Sequence, residues 1–385
     1  MNDSDSSHKP GEASSLNRPA AHYLLIVPGP LNRITGGSIY DKRLHDYLKE
    51  RGARVDVISL PDLPYFAALI TGLVLSPLLL LRLAGRAYDL IIEDGWAHPS
   101  LVLFNLLCRF TSRHKIAIIV HQLRWLERRY RAAIAIARRV ERSALKSSRL
   151  VFTVSHFMRR EIENLTGDEP RVVIARPGCD GQRQTIVTGS VSECLERSTV
   201  RLLFVGNCAR RKGLHHLIAA LSTLRDPLLR LDVVGDCAFD PSYTKELQDE
   251  VARLGLRKVV AFRGRVSDEE LSRFYRQADL FVMPSSYEGF GIVYAEAMRA
   301  GLPIIACHTG PAAEIVSAGE NALLVPDGDI LALADAIHTL AADAELRKLY
   351  GRRSVELACS LPTWEATCAQ ILEKLSSMNE TMNAG

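Results

Sequence analysis

The stretch FVMPSSYEGFGIVYAEAMRAGLPIIA, Phe281–Ala306, contains a whole structural unit. FVM is a short unbroken apolar run, PSSYEGFG is a polar, glycine-bearing loop, and GIVYAEAMRA has the spacing of a helix. Gly301-Leu302-Pro303 then leads into a second apolar run, Ile304–Ala306. Strand, helix and strand in that order imply a crossover connection and therefore a parallel sheet. Gly289 and Gly291 let the backbone turn tightly and approach a ligand without a Cβ in the way. The helix starting near Phe290 or Gly291 offers unpaired N–H groups and a partial positive charge, both suited to a phosphate. Glu288 precedes that helix and Glu296 lies more than a turn inside it. Carboxylates so placed could accept hydrogen bonds from hydroxyls at both ends of a ligand, with phosphates between. A helix cap followed by an exposed Glu would produce the same spacing.

Outward from this unit the same alternation runs along almost the whole chain. In the first half the strand candidates are Tyr23–Val27, Val55–Leu60, Leu90–Glu93, Ile116–Val120, Leu150–Val154 and Val172–Ala175. Helical runs at Gly37–Arg51, Pro99–Arg109, Leu123–Lys146 and His156–Leu165 separate them. The pattern breaks near Pro177–Gly178, and a second series begins: Arg201–Val205, Leu231–Val234, Val259–Phe262, Leu280–Met283, Ile304–Ala306 and Leu323–Val325. Two tandem, doubly wound Rossmann-like α/β domains follow, with ligands bound in the cleft where the carboxyl ends of their strands face each other. The expected division is a flexible tail (1–20), an N-terminal domain (21–180), a connection (181–199), a second domain (200–360) and a C-terminal helix (361–385) able to pack back on the first domain.

Composition narrows the function classes. The chain has 385 residues, 47% of them hydrophobic and 24% charged, which excludes a disordered, collagenous or disulfide-stapled protein. Lys plus Arg number 48 against 44 acidic residues, too even a balance to argue for nucleic-acid binding. The charge is unevenly placed, however: residues 101–150 hold 12 basic and 2 acidic side chains. None of the 8 cysteines forms a CxxC pair, so they read as small buried thiols of a reducing cytosol. The first twenty residues lack the apolar core of a secretory leader. Between Asp62 and Arg82 lie 19 uncharged residues, enough to cross a bilayer. Strand-like runs flank them, and a span there would split a sheet between neighbouring strands; three readings stand: a span, a buried helix, or a helix resting on a membrane face. Arg128, Arg129, Arg138, Arg139 and Arg142 of the basic stretch could dock that face on anionic lipid, or simply be solvated.

Three further constellations carry chemistry. In FVGNCARRKGLHHLI (204–218) a strand ends, Gly206 follows, and Arg211-Lys212-Gly213 opens the next helix. Cations at a helix start oppose its dipole unless an anion such as a pyrophosphate is bound. Gly36-Gly37 sits in the first strand-to-helix loop, PGPLNRITGGSIY, which has no GxGxxG fingerprint. A glycine pair there can still bring backbone N–H groups to an anion. His121 directly follows the strand IAIIV, where a loop would face the cleft. Asp327-Gly328-Asp329 fits a DxD metal pattern but reads better as a turn with Asp329 capping a helix.

With these motifs in view, the chain resembles the family-4 retaining glycosyltransferases, whose fold is GT-B. The likeness rests on Gly206…Arg211-Lys212-Gly213, Gly264-Arg265-Val266, PSSYEGFGIVYAEAMRAGLPIIACHTG, Glu314 and ENALLVPDGD. The first half contributes Gly36-Gly37, His121, ERSALKSSRLVFTVSHF and ARPGCD. It departs from the family in having Asn207 where Arg is common and Glu93-Asp94-Gly95 where His is often found. The resemblance implies transfer of a sugar from a nucleotide-diphosphate sugar to a glycan or lipid-linked hydroxyl. No cofactor and no metal are implied, and the expected location is cytoplasmic, on the inner membrane face. It further implies that Glu296 binds ribose hydroxyls, Glu288 with the backbone of Phe290, Gly291 and Ile292 holds the donor sugar, and Arg211 and Lys212 neutralise the leaving diphosphate. Gly36, Gly37 and Gly206 would approach the phosphates, His121 would contact the sugar near its anomeric carbon, and Gly264–Val266 would meet the base. A nucleotide-sugar epimerase and a non-catalytic nucleotide-sugar-binding subunit are the rival readings.

Overall fold

The computed structural model describes residues 21–33, 35–111, 115–127, 134–167, 171–180 and 199–383. The 1–20 tail, the 181–198 part of the connection, Cys194, Arg128 and Arg129 lie outside the described residues. The first six strands are β1 His22–Pro28, β2 Arg54–Leu60, β3 Leu90–Asp94, β4 Ile116–Val120, β5 Leu150–Thr153 and β6 Arg171–Ile174. The second six are β7 Val200–Val205, β8 Leu229–Val234, β9 Val260–Gly264, β10 Leu280–Met283, β11 Ile304–Cys307 and β12 Ala322–Val325. Each lies within a few residues of a run expected from the sequence. The helices of the first half are α1 Gly36–Glu50, α2 Tyr65–Leu83, α3 His98–Thr111, α4 Ile134–Ser147 and α5 His156–Thr166. Those of the second half are α6 Leu214–Leu224, α7 Pro241–Arg253, α8 Asp268–Gln277, α9 Ile292–Arg299, α10 Ala312–Ile315, α11 Ile330–Ala342, α12 Ala344–Ala358 and α13 Trp364–Asn383.

All pairings within the two six-stranded sheets are parallel, in the orders β2-β1-β3-β4-β5-β6 and β12-β11-β10-β7-β8-β9. This is the two-lobed, doubly wound GT-B architecture. β3 and β4 are buried at every position because helices cover both sheet faces. The edge strand β2, RVDVISL, has a partly exposed pattern and so tolerates its charges. The chain leaves β1 toward β2, then returns to β3 on the other side; the second lobe does likewise from β7 to β8 and back to β10. Loops at such reversals diverge and leave a crevice beyond the strand ends.

One expectation is corrected here. Where a helix over Leu123–Lys146 was expected, Arg124–Glu127 form a 3-10 turn and α4 covers Ile134–Ser147, with residues 128–133 outside the described residues. α2 is not wholly buried. Tyr65, Ala68, Gly72, Ser76, Leu79 and Leu83 form its inward stripe. Phe66, Ile70, Leu73, Val74, Leu78 and Leu81 are exposed on the other side. The Gly72 backbone lies so close to α3 that a Cβ would stand 2.7 Å from the Ser100 carbonyl oxygen. Among the described residues α2 is the one helix long and apolar enough to cross a membrane.

α13 returns to the first lobe. The Trp364 N–H donates to Asp180 Oδ1 at 2.5 Å, the Thr367 hydroxyl to the Arg176 carbonyl at 2.7 Å, and Gln370 Nε2 to the Ile174 carbonyl at 3.0 Å. The Trp364 ring meets Tyr40 edge-on at 5.5 Å.

Candidate active site

A cavity of about 650 Å3 lies between the lobes, at the carboxyl ends of both sheets. That volume falls in the range of small-molecule sites. Its second-lobe wall is built by the turns after β7 and β10. Arg210–Lys212 form a 3-10 turn, Gly213 adopts a left-handed conformation with φ 71°, and α6 starts only at Leu214. Arg211 and Lys212 thus stand before the helix rather than in its first turn, which corrects the expectation from sequence. Their partner is supplied by the chain itself: Glu288 Oε1 accepts from Arg211 Nη1 at 2.8 Å, Lys212 Nζ at 2.9 Å and the Ser285 hydroxyl at 3.1 Å. Lys212 and Glu288 are each 8% exposed, so neither belongs to a solvated charge cluster. A Cβ at Gly206 would stand 2.7 Å from Lys212 Cδ, so the lysine reaches Glu288 across a glycine that leaves it room.

The charges respond accordingly. Burial alone would push the Glu288 carboxyl up, but the Arg211 and Lys212 charges, with hydrogen bonds from Lys212 and Ser285, bring it down to about 2. Burial pushes the Lys212 ammonium below the usual lysine range, Glu288 opposes that, and the Arg211 charge adds to it. A second anion near Lys212 would relieve its desolvation.

α9 begins beyond this cluster, with Gly291 at its N-cap. Five residues in, Glu296 lines the cavity and accepts from the Tyr275 hydroxyl at 2.8 Å. Across the cleft, Gly36 and Gly37 open α1, whose N-cap Thr35 accepts from the Ser38 N–H. The lobes touch through backbone: a Cβ at Gly289 would stand 1.8 Å from the His121 carbonyl oxygen. Ser155 Oγ also donates to the Gly289 carbonyl at 2.8 Å, and the Leu123 N–H to the Tyr287 hydroxyl oxygen at 3.0 Å.

Family models agree with this geometry. The description "Glycosyl transferases group 1" matches residues 196–356, and "Glycosyl transferase 4-like domain" matches residues 25–178. A D-inositol 3-phosphate glycosyltransferase of Corynebacterium efficiens is 31% identical over 75% of this chain and 71% of its own. The chain belongs to the group 1 glycosyltransferases. A phosphatidylinositol monomannoside mannosyltransferase of Mycolicibacterium smegmatis, GDP-mannose-dependent by name, is 27% identical over 76% of this chain and 78% of its own. Among solved structures, sucrose-phosphate synthase from Thermosynechococcus elongatus superposes with a TM-score of 0.81 at 23% identity, covering 94% of this chain and 100% of that one. At that identity the likeness concerns the GT-B fold.

In this glycosyltransferase Gly36, Gly37, His121, Gly206, Arg211, Lys212, Glu288, Phe290, Gly291, Ile292 and Glu296 all line the one cavity. Gly264, Arg265 and Val266 are not among its lining residues; Arg265 pairs with Asp236 at 3.2 Å at the end of the second sheet. Asp329 Oδ1 accepts from the Ala332 N–H at 2.9 Å, so it caps α11.

Two groupings escaped the sequence reading, although His121 itself was among its candidates. Tyr65, Trp96, Arg124 and Trp125 form the first-lobe wall, with the Arg124 guanidinium carbon 4.3 Å from the Trp96 ring centroid and 5.9 Å from that of Tyr65. Flat rings beside a cation suit a hydroxylated or phosphorylated acceptor. The available clue was that two of the chain's 3 tryptophans closely follow β3 and β4. The other group is Asp41, Asp94 and His121, all buried, with ligand-type atoms within 4.8 Å of one another. Among the described residues these three have the spacing to hold an ion, but His121 Nε2 and Asp41 Oδ1 are already hydrogen-bonded at 3.2 Å.

Proposed function

We propose that this glycosyltransferase moves a sugar, with retention at the anomeric carbon and without a metal ion, from a nucleotide-diphosphate sugar to a hydroxyl of a membrane-proximal glycan or glycolipid. The observation that carries this reading is the buried Arg211–Lys212–Glu288 cluster on a cavity wall that also holds Glu296 and faces Gly36-Gly37. The diphosphate lies between the cationic pair and the N-terminus of α1, Glu296 takes ribose hydroxyls, and His121 lies beside the sugar. As the bond from the anomeric carbon to the phosphate oxygen breaks, charge grows on the diphosphate where Arg211 and Lys212 already stand. Fixed donors of this kind are worth about 3 kcal/mol each in a closed cleft. The acceptor oxygen, entering along the Trp96–Arg124–Trp125 wall, bonds to the anomeric carbon from the face the diphosphate leaves. Its proton passes to the departing phosphate. Two preset cations supply the charge that a divalent ion would otherwise bring.

The exposed apolar face of α2 supports placement on the inner face of the cytoplasmic membrane. Arg138, Arg139 and Arg142 of α4 lie toward solvent nearby, since the Tyr65 hydroxyl of α2 reaches the Ala137 carbonyl of α4 at 3.5 Å. Each arginine near an anionic surface contributes about 1 kcal/mol. The mycobacterial relative named for a phosphatidylinositol monomannoside acceptor is consistent with such a substrate.

The test is a panel of UDP- and GDP-sugars scored by melting temperature, followed by transfer to glycolipid in EDTA and by the anomeric coupling of the product. Stabilisation by one donor, transfer in chelator and a retained configuration are expected. An inverted product, loss of transfer in EDTA, or conversion of the donor to an isomer without acceptor would each overturn the corresponding part of the reading.

A further inference from the structure

His121 reaches the cavity from the end of β4, but its ring is fixed from behind by residues of other elements. Asp41, within α1, is 1% exposed and places Oδ1 3.2 Å from His121 Nε2. Asp94, at the end of β3, is 3% exposed and lines the cavity. Its Oδ1 accepts from the Trp96 N–H at 2.7 Å, which ties it to the aromatic wall. The Tyr40 ring packs edge-on against the imidazole at 4.9 Å, with its hydroxyl donating to the Ala175 carbonyl at 2.9 Å. On the remaining side, Gly37 abuts the ring so closely that a Cβ would stand 3.0 Å from His121 Cδ2. The imidazole therefore has little freedom to turn.

We propose that Asp41 is a positioning residue for transfer, holding His121 charged and oriented at the sugar end of the cavity, with Asp94 as the protonated third member of the unit. The inference rests on the reading of the cavity as the donor site. Three buried groups with a charged imidazole and two carboxylates would carry a net negative charge; one proton kept on Asp94 makes the unit neutral. The surroundings of each group favour the same assignment. Burial pushes Asp94 well above the usual carboxylate range and the Asp41 charge adds to it. Burial would lower His121, but the Asp41 charge and hydrogen bond bring it above the ordinary imidazole value. The groups facing the ring are Tyr40, Asp41 and the Gly37 backbone from α1 and Asp94 from β3; the Gly289 loop abuts the His121 carbonyl instead, and its Glu288 is paired with Arg211 and Lys212. With Nε2 engaged by Asp41, a charged His121 keeps a second N–H as a donor suited to a hydroxyl-bearing sugar, while the Asp94 proton is shared with Asp41.

The experiment is the titration of His121 by NMR in protein carrying histidine labelled at Cε1, assigned with the His121→Gln variant. Unsubstituted enzyme is expected to titrate His121 above free imidazole; a value at or below it overturns the proposal without any variant having to fold. Asp41→Asn, checked for folding by its melting curve, should drop the His121 titration below that of the unsubstituted enzyme. It should also lower kcat by about 10- to 100-fold, as for a misplaced reacting group, move the alkaline limb of the rate profile to lower pH, and leave nucleotide affinity unchanged. Asp94→Asn, which imitates a protonated acid, should leave the His121 titration in place; a fall there would show Asp94 ionised and remove it from the unit. If no nucleotide sugar binds while the titrations behave as stated, the donor-site reading fails and the assignment of the charge unit stands.

Discussion

Glu288 and Glu93 are both buried carboxyls, yet their neighbours send them in opposite directions. Glu288 titrates at about 2 in the fold against an ordinary 4.5, so its ionised form stabilises the folded state above pH 4.5 and that contribution is lost as pH falls toward 2. Glu288→Gln should flatten this acid limb by on the order of 3 kcal/mol relative to the parent, read from urea unfolding between pH 2 and 6. Among the described residues Glu93 has no charged partner of that kind: burial pushes it up to about 8, opposed by a hydrogen bond from Asn105. The unfolded carboxyl ionises near 4.5 while the folded one keeps its proton, so stability falls from pH 4.5 up to 8. Glu93→Gln should remove that decline and melt higher than the parent at pH 8, by roughly 2 kcal/mol; a variant that melts lower at pH 8 would refute it. Lys212→Ala should cut turnover by about 100- to 1,000-fold, measured as initial rate at saturating donor, with the melting curve remaining cooperative.

Among the elements, α2 has the most divided character. Its inward stripe packs on α3 across Gly72, and its outward face is as apolar as the core. Gly72→Val places a side chain against the Ser100 carbonyl and should cost about 2 kcal/mol in unfolding free energy. The double variant Leu73→Asp/Leu78→Asp changes side chains that are more than half exposed, so the melting temperature should hardly move. It should abolish flotation with anionic liposomes at low salt, and replacing Arg138, Arg139 and Arg142 by Glu should do the same. Flotation unaffected by either set would remove α2 and α4 from membrane docking.

For the whole molecule, the contact between the lobes is the feature expected to govern turnover. His121 and Gly289 meet backbone to backbone, and Glu314 of the second lobe accepts from the His156 N–H at 2.8 Å and the Phe157 N–H at 2.5 Å, capping α5 of the first. Gly289→Ala would wedge the lobes apart at the cavity. Transfer should fall about 100-fold through misplacement of sugar and acceptor. X-ray scattering should show a larger radius of gyration for that variant; an unchanged radius with full activity would show that the lobes work without this contact.

Much of this molecule was legible in the chain. All twelve strands were read from runs of three to six residues, because the period of apolar side chains is a local property that a buried parallel sheet imposes on each strand separately. Arg211, Lys212, Glu288 and Glu296 were legible for a related reason: each lies in or beside a single strand-to-helix loop, where spacing along the sequence is spacing in space. Tertiary structure alone decided the rest. It set Glu288 against Arg211 and Lys212, removed Gly264–Val266 from the cavity wall, and left one face of α2 bare. It also joined Asp41 to Asp94 and His121, and Trp96 to Arg124. Those relations depend on strand order and on how each helix is rotated against its sheet, and neither is encoded in the spacing of any one segment.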